Sequence, residues 1–235
     1  MAIAYTKAEL LTKIAEWLSP EKVSKLYAQD FVNYKGLTVD TKEKYTEVIA
    51  EQLLSNLGAL ERIERITRKS SYKTDGHEPQ PINQKSPRKE EQTARSMIGQ
   101  TYDYIGKIID FQTPLKNVQS DDAGKIDLLS LNEAKGRVYI LEFKAQDSKE
   151  TSLRCVLEAY TYSRMVDSEK LLADFALPAT TVLRKAALVY RLSIPHVHFR
   201  DTNVKKLMKA LGVDLFVIDK DNNVVEAHYF EELEE

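Results

Sequence analysis

Three charged residues stand in strands that are otherwise apolar: Asp127, Glu142 and Lys144. The runs Ile126 to Leu131 and Val138 to Phe143 are apolar at nearly every position, as expected for strands buried on both faces. Side chains alternate along a strand, so Glu142 and Lys144 project from one face and Phe143 from the other. A charge buried there costs on the order of several kcal/mol unless it is paired or holds a metal. An acid on one strand facing Glu-x-Lys on its neighbour is a set that can bind a divalent cation. Between the two runs lies Asn132-Glu133-Ala134-Lys135-Gly136, a turn-rich stretch that makes the unit a β-hairpin.

Asp127 followed fifteen residues later by Glu142-Phe143-Lys144 resembles the D…(D/E)xK signature of the PD-(D/E)XK nuclease superfamily. The helix expected next carries Arg154, Glu158 and Tyr162 at four-residue intervals. It resembles the superfamily's downstream helix, which often bears a Gln-x-x-x-Tyr row beside the active site. No Pro precedes Asp127, and Glu158 stands where that row has Gln. The resemblance covers roughly Arg88 to Ile218. It implies a restriction-endonuclease-like core, Mg²⁺ as cofactor with Mn²⁺ as a substitute, and a nucleic-acid substrate, DNA before RNA. It also implies that the row Arg154, Glu158 and Tyr162 lies beside the bound nucleic acid, with Glu158 near the metal and Arg154 or Tyr162 on a phosphate. Without that resemblance, Arg154 and Glu158 read as an exposed pair one helical turn apart, worth roughly 0.2–0.5 kcal/mol.

Phosphodiester hydrolysis needs a nucleophilic water and relief of charge in the transition state, and a divalent cation supplies both. Mg²⁺ prefers hard oxygen ligands and keeps several waters. Asp127 and Glu142 would be its carboxylates, with the Phe143 carbonyl as third ligand. Lys144, on the Glu142 face, would orient the attacking water or stabilise developing negative charge. The competing account is a structural Asp–Lys or Glu–Lys pair at a strand end. Three charges converging on one sheet face are harder to explain as packing.

The elements that must position these residues follow from periodicity. Residues 1–67 read as an N-terminal helical domain: a Thr6-Lys7-Ala8-Glu9 capping box opens one helix, Ser19-Pro20 a second and Thr41 a third. Residues 68–87, rich in Pro and Ser, read as a solvated linker whose basic residues, with Arg68, Lys69, Lys73 and Lys85 leading on to Arg88 and Lys89, could follow a phosphate backbone. Residues 88–235 form the expected nuclease-like core. A helix over 88–106 carries the stripe Ala94, Ile98, Tyr102 and Ile105; extended backwards, the stripe begins at Glu91, which resembles the extra acid that superfamily members place near the metal. The alternative is that Glu90 and Glu91 only complement the helix dipole. A strand over 107–116 precedes the hairpin. Beyond it come a helix over 150–175, a strand over 183–192, a helix through Leu211 capped by Asp201 or Thr202, and strands over 213–218 and 224–230. That order predicts an α/β sandwich with a mixed central sheet flanked by helices.

Lys and Arg total 34 against 36 Asp and Glu, so bulk charge does not advertise a polyanion partner. The single cysteine, Cys155, allows no disulfide within the chain and fits a reducing cytoplasm. Neither a signal peptide nor a membrane span is evident, and a homodimer stays open. His196 and His198 share a strand face but lack a third ligand, since His77 falls in the linker and His228 on the edge strand. The functional expectation is a metal-dependent nuclease. The alternative is a non-catalytic PD-(D/E)XK-fold module for binding or assembly.

Overall fold

The computed structural model describes residues 4–79, 88–116 and 124–230. Its centre is a mixed sheet of seven strands ranked in chain order. β1 (Thr101–Tyr102), β2 (Gly106–Pro114), β3 (Lys125–Asn132) and β4 (Arg137–Lys144) run antiparallel to their neighbours. β5 (Val182–Tyr190) and β6 (Val213–Ile218) continue parallel to β4, and β7 (Val224–His228) closes the edge antiparallel. The β3–β4 hairpin turns where expected: the Asn132 side chain accepts a hydrogen bond from the Lys135 N–H, and Gly136 takes the left-handed conformation.

Helices cover both faces. Above one lie α1 (Lys7–Trp17), α2 (Tyr45–Leu54), the short α3 (Leu57–Leu60), α5 (Ser152–Met165), α6 (Ser168–Asp174) and α8 (Thr202–Leu211), whose apolar residues join β3, β4 and β6 in one core. α4 (Lys89–Met97) packs on the other face with Tyr139, Phe143 and Phe216. Residues of the N-terminal segment therefore enter the same core as the sheet. Polar contacts bind them further. Glu47 on α2 accepts from the backbone N–H groups of Asn203 and Val204, so the orphan donors of α8 are satisfied from α2. Asp201, expected to cap α8, bonds Lys44 instead.

Several elements differ from expectation for local reasons. The capping box of α1 forms, but the stretch after Ser19-Pro20 makes two 3-10 turns, Val23–Ala28 and Asp30–Asn33, rather than an α-helix. The helix expected over 88–106 stops at Met97, because Ile98 turns extended and Gly99 takes φ +77°; Tyr102 passes into β1. The helix expected over 150–175 breaks at Val166, where Asp167 accepts from the Lys170 N–H and starts α6. His196 and His198 lie on a helical turn, α7 (Ile194–His198), not on a strand; Ser193 caps it and Pro195 occupies its first turn.

The segment read as a solvated linker is fastened over its described part. Tyr72 is fully buried, its hydroxyl accepts from the Asp167 N–H at 2.9 Å, and its own N–H donates to Asp174 at 2.8 Å. Arg68 is buried beside it. An aromatic ring in a polar stretch supplied the anchor. Lys85 and the rest of 80–87 lie outside the described residues. Among the described residues no helix is long and apolar enough to cross a membrane.

Candidate functional site

β3 and β4 pair Leu129 with Ile140 and Leu128 with Leu141; the next step of that register sets Asp127 opposite Glu142. Leu129 and Ile140 face the α5 side, and alternation puts Asp127, Glu142 and Lys144 on that side too. The hydrogen-bonded ladder ends at Leu128–Leu141, and beyond it the Phe143 N–H donates to Asp127 Oδ2 at 3.0 Å. Asp127 Oδ1 accepts from Gln112 Nε2, also at 3.0 Å. Gln112 holds its side chain there from a left-handed backbone, φ +49°, uncommon for a residue with a Cβ and a form of strain that gathers at functional sites.

Lys144 Nζ reaches Glu142 Oε1 at 2.6 Å, Glu150 Oε2 at 2.7 Å and Glu158 Oε2 at 3.4 Å. Glu158 comes from α5, whose N-terminus is fixed by Thr151: its side chain accepts from Arg154 N–H, and its own N–H donates to Asn33. The row Arg154, Glu158 and Tyr162 thus faces the sheet rather than solvent. Arg154 pairs with Glu150 at 3.2 Å, not with Glu158. Tyr162 is buried; its hydroxyl donates to Glu158 Oε1 at 3.0 Å and meets the Tyr27 hydroxyl at 3.3 Å. Glu158 and Tyr162 are turned inward to Lys144: Glu158 stands among the acids of the site, and the Tyr162 hydroxyl is engaged by Glu158 and Tyr27.

The two helix acids also divide differently from expectation. Glu90, not Glu91, accepts from the backbone N–H of Ala145, the residue after Lys144, at 2.9 Å. Glu91 sits partly exposed and pairs with Arg88 at 3.5 Å. Both border an open cleft of about 620 Å³ whose wall includes Asp127, Gln112 and Ala145. The stripe misled because α4 ends at Met97, so Ile98 and Tyr102 do not define its buried face.

Electrostatics follow from the enclosure. Burial pushes the Asp127 carboxyl up from its ordinary 3.8 to about 6, against the pull of Lys144. Burial, then the carboxylates of Asp127 and Glu158, raises Glu142 well above the usual range. For Lys144 burial works against the charged form, but Glu142, Glu158, Asp127 and Glu150 together hold its pKa well above normal. Glu158 is lowered despite burial, chiefly by Lys144. Four carboxylates (Asp127, Glu142, Glu150 and Glu158) thus surround two cations (Lys144 and Arg154), an excess of two negative charges when all are ionised.

Among the described residues no three His, Cys, Asp or Glu side chains are grouped to hold a metal by themselves. The Lys144 ammonium stands between the acids. The donor set nonetheless fits a hard divalent cation: Glu142 Oε2 is buried with no hydrogen-bond partner, and the Asp127 carboxylate is close enough to help raise the Glu142 carboxyl, a repulsion that a cation would relieve. Glu150, Gln112 and Tyr27 are not singled out by the sequence. Gln112 offered a signal, as a polar residue within the strand KIIDFQTP. Set against models of protein families, curated protein sequences and solved structures, the chain matches none.

Proposed function

We propose that the chain is a metal-dependent phosphodiester hydrolase of the PD-(D/E)XK kind, with DNA as its first substrate class. The observation that carries this reading is that Asp127 and Glu142 lie close enough for one carboxyl to raise the other, with Lys144 on the same face and paired to Glu142 at 2.6 Å. The order of helix, antiparallel strands, helix and parallel strand supports a restriction-endonuclease-like core, to which residues 1–67 would be a helical addition. Asp127 and Glu142 would hold Mg²⁺ or Mn²⁺, with the Phe143 carbonyl beside them. The ion, when bound, supplies an activated water and neutralises phosphate oxygens. Lys144 stays protonated at neutral pH, so it serves by orienting water and balancing negative charge, not as a general base. Glu158 and Glu150 hold the ammonium, and Tyr162 holds Glu158. Arg88 and Lys89 on the rim of the cleft would meet the phosphate backbone. A lone, buried Cys155 fits a reducing compartment, the cytoplasm.

The test is cleavage of single- and double-stranded DNA and RNA with Mg²⁺, Mn²⁺ or EDTA, beside thermal melts. Expected are metal-dependent cleavage, a melting point raised by Mg²⁺, and loss of both in Asp127→Asn. A melting point indifferent to Mg²⁺, with no cleavage of any substrate, would overturn the reading. One observation favours a non-catalytic binding module: Lys144 is only 6% exposed and already engaged by three acids. Metal-independent DNA binding that survives Asp127→Asn would decide for that module.

A further inference from the structure

We propose that a second cleft, between β7 and the α7–α8 pair, binds a small organic anion carrying an apolar body. The cleft measures about 420 Å³, within the roughly 300–1,000 Å³ usual for small-molecule sites. Its floor is apolar: Phe199, Met208 and Leu215, all buried in the core, present carbon surface to it. Its walls are cationic. Arg191 is held by Glu226, Nη2 to Oε1 at 2.5 Å, which leaves that pair neutral. Arg200 and Lys205 have no carboxylate within ion-pair distance among the described residues. Two unmatched cations over an apolar floor select a ligand with both halves.

His196 adds a directed donor. Its Nδ1 accepts from the Leu192 N–H at 3.0 Å. Burial holds this imidazole below the usual range, so at neutral pH the ring proton sits on Nε2, on a ring that lines the cleft. Leu192 itself stands at the mouth, 76% exposed, in a left-handed backbone of φ +65°. A residue with a Cβ adopts that conformation only under strain, and here the strained turn holds a large apolar side chain in water beside the opening. Exposure of a strained leucine gains nothing for folding; across the mouth of an occupied cleft it would cover the ligand's apolar end.

Calorimetric titration of the full chain tests this with phenylphosphonate, inorganic phosphate and phenol as probes. Phenylphosphonate should bind at least tenfold more tightly than either phosphate, which lacks the body, or phenol, which lacks the charge. Arg200→Gln and Lys205→Gln, both at the surface, should each weaken it about tenfold, the scale of one lost charge-assisted contact. Leu192→Ser should weaken it several-fold while sparing the affinity for phosphate. Asp127→Asn should leave it unchanged. Equal affinity for phosphate and phenylphosphonate would reduce the cleft to surface charge and overturn the proposal. So would absence of binding at millimolar ligand, insensitivity to both cation variants, or weakening by Asp127→Asn, which would move the ligand to the cleft beside β3.

Discussion

Glu142 and Lys144, two residues apart on one strand, meet at 2.6 Å with side chains 3% and 6% exposed. Same-face neighbours along a strand stand roughly 7 Å apart at Cα, so their tips must lean together. They do so because the ammonium is drawn into a ring that Glu150 and Glu158 complete. Lys144 therefore belongs to a cluster rather than a pair, and its members respond unequally to removal.

Lys144→Met should destabilise the protein by roughly 3–5 kcal/mol, since it leaves buried carboxylates facing one another without their central cation. Glu142→Gln should be near neutral or stabilising, because Glu150 and Glu158 still hold Lys144 and one repelling charge is gone. Paired denaturant melts check this. Equal, large losses in both variants would mean that Glu142 and Lys144 form an isolated salt bridge.

Much of this arrangement was legible in the sequence because it rests on short-range rules. Strand alternation placed Glu142 with Lys144, turn chemistry placed the hairpin, and helical periodicity carried α8 through Leu211. What was not legible depended on partners distant in the chain. Glu47 caps α8 from α2, Tyr72 is buried by contacts to α6, and Glu90 reaches Ala145 because α4 ends about two turns sooner than its stripe suggests. Glu150 carried no sequence signal beyond its spacing to Arg154; only the fold brings it to Lys144.

Asp127 gives the metal-free protein a pH signature. Its pKa is raised on folding, from 3.8 to about 6, so the folded state binds more protons than the unfolded state between those values. The sign follows: stability rises as pH falls from 6 toward 4, and the penalty, roughly 3 kcal/mol at most, is fully present above 6. Asp127→Asn should make the slope in this window shallower in melts run with EDTA, leaving the part contributed by the raised Glu142 carboxyl. A wild-type profile already flat between pH 4 and 6 would show that Asp127 ionises normally. On the proposed metal-dependent reading, added Mg²⁺ should also flatten the profile, a cation taking the place of the proton.

Gly124 lies at the entrance to β3, where a Cβ would stand 2.0 Å from the Tyr162 hydroxyl and 2.5 Å from its ring carbon Cζ. Gly124→Ala should displace Tyr162, freeing Glu158 from its hydroxyl partner, and cost about 1–3 kcal/mol as overpacking does. Tyr162→Phe in the same chain should recover part of that loss, since the nearest clash is with the oxygen. No recovery in the double variant, measured as a coupling between the two substitutions, would place the strain elsewhere.

The segment after Arg68 gives the last prediction. His77 Nδ1 lies 2.6 Å from Asp110 Oδ1, and Asp110, 3% exposed, also accepts from Thr113 Oγ1 at 2.6 Å. The His77 ring packs on Phe111, and Arg95 bonds the carbonyls of Gly76 and Glu78. These contacts fasten residues 74–78 onto β2 and α4, away from the β4–α5 cluster. Removing the imidazole leaves one oxygen of a buried carboxylate short of a partner, a loss of about 1–3 kcal/mol. The cost should appear first as local opening, because few other contacts hold this stretch. Tryptic cleavage after the exposed Lys73 should therefore accelerate about tenfold in His77→Ala, the factor corresponding to 1.4 kcal/mol, while binding of Mg²⁺ at Asp127 stays as it was. His77→Gln, which can still donate to Asp110, should restore much of the protection. Cleavage that accelerates only in step with global unfolding would mean that the segment is an integral part of the core and not a separately fastened strap.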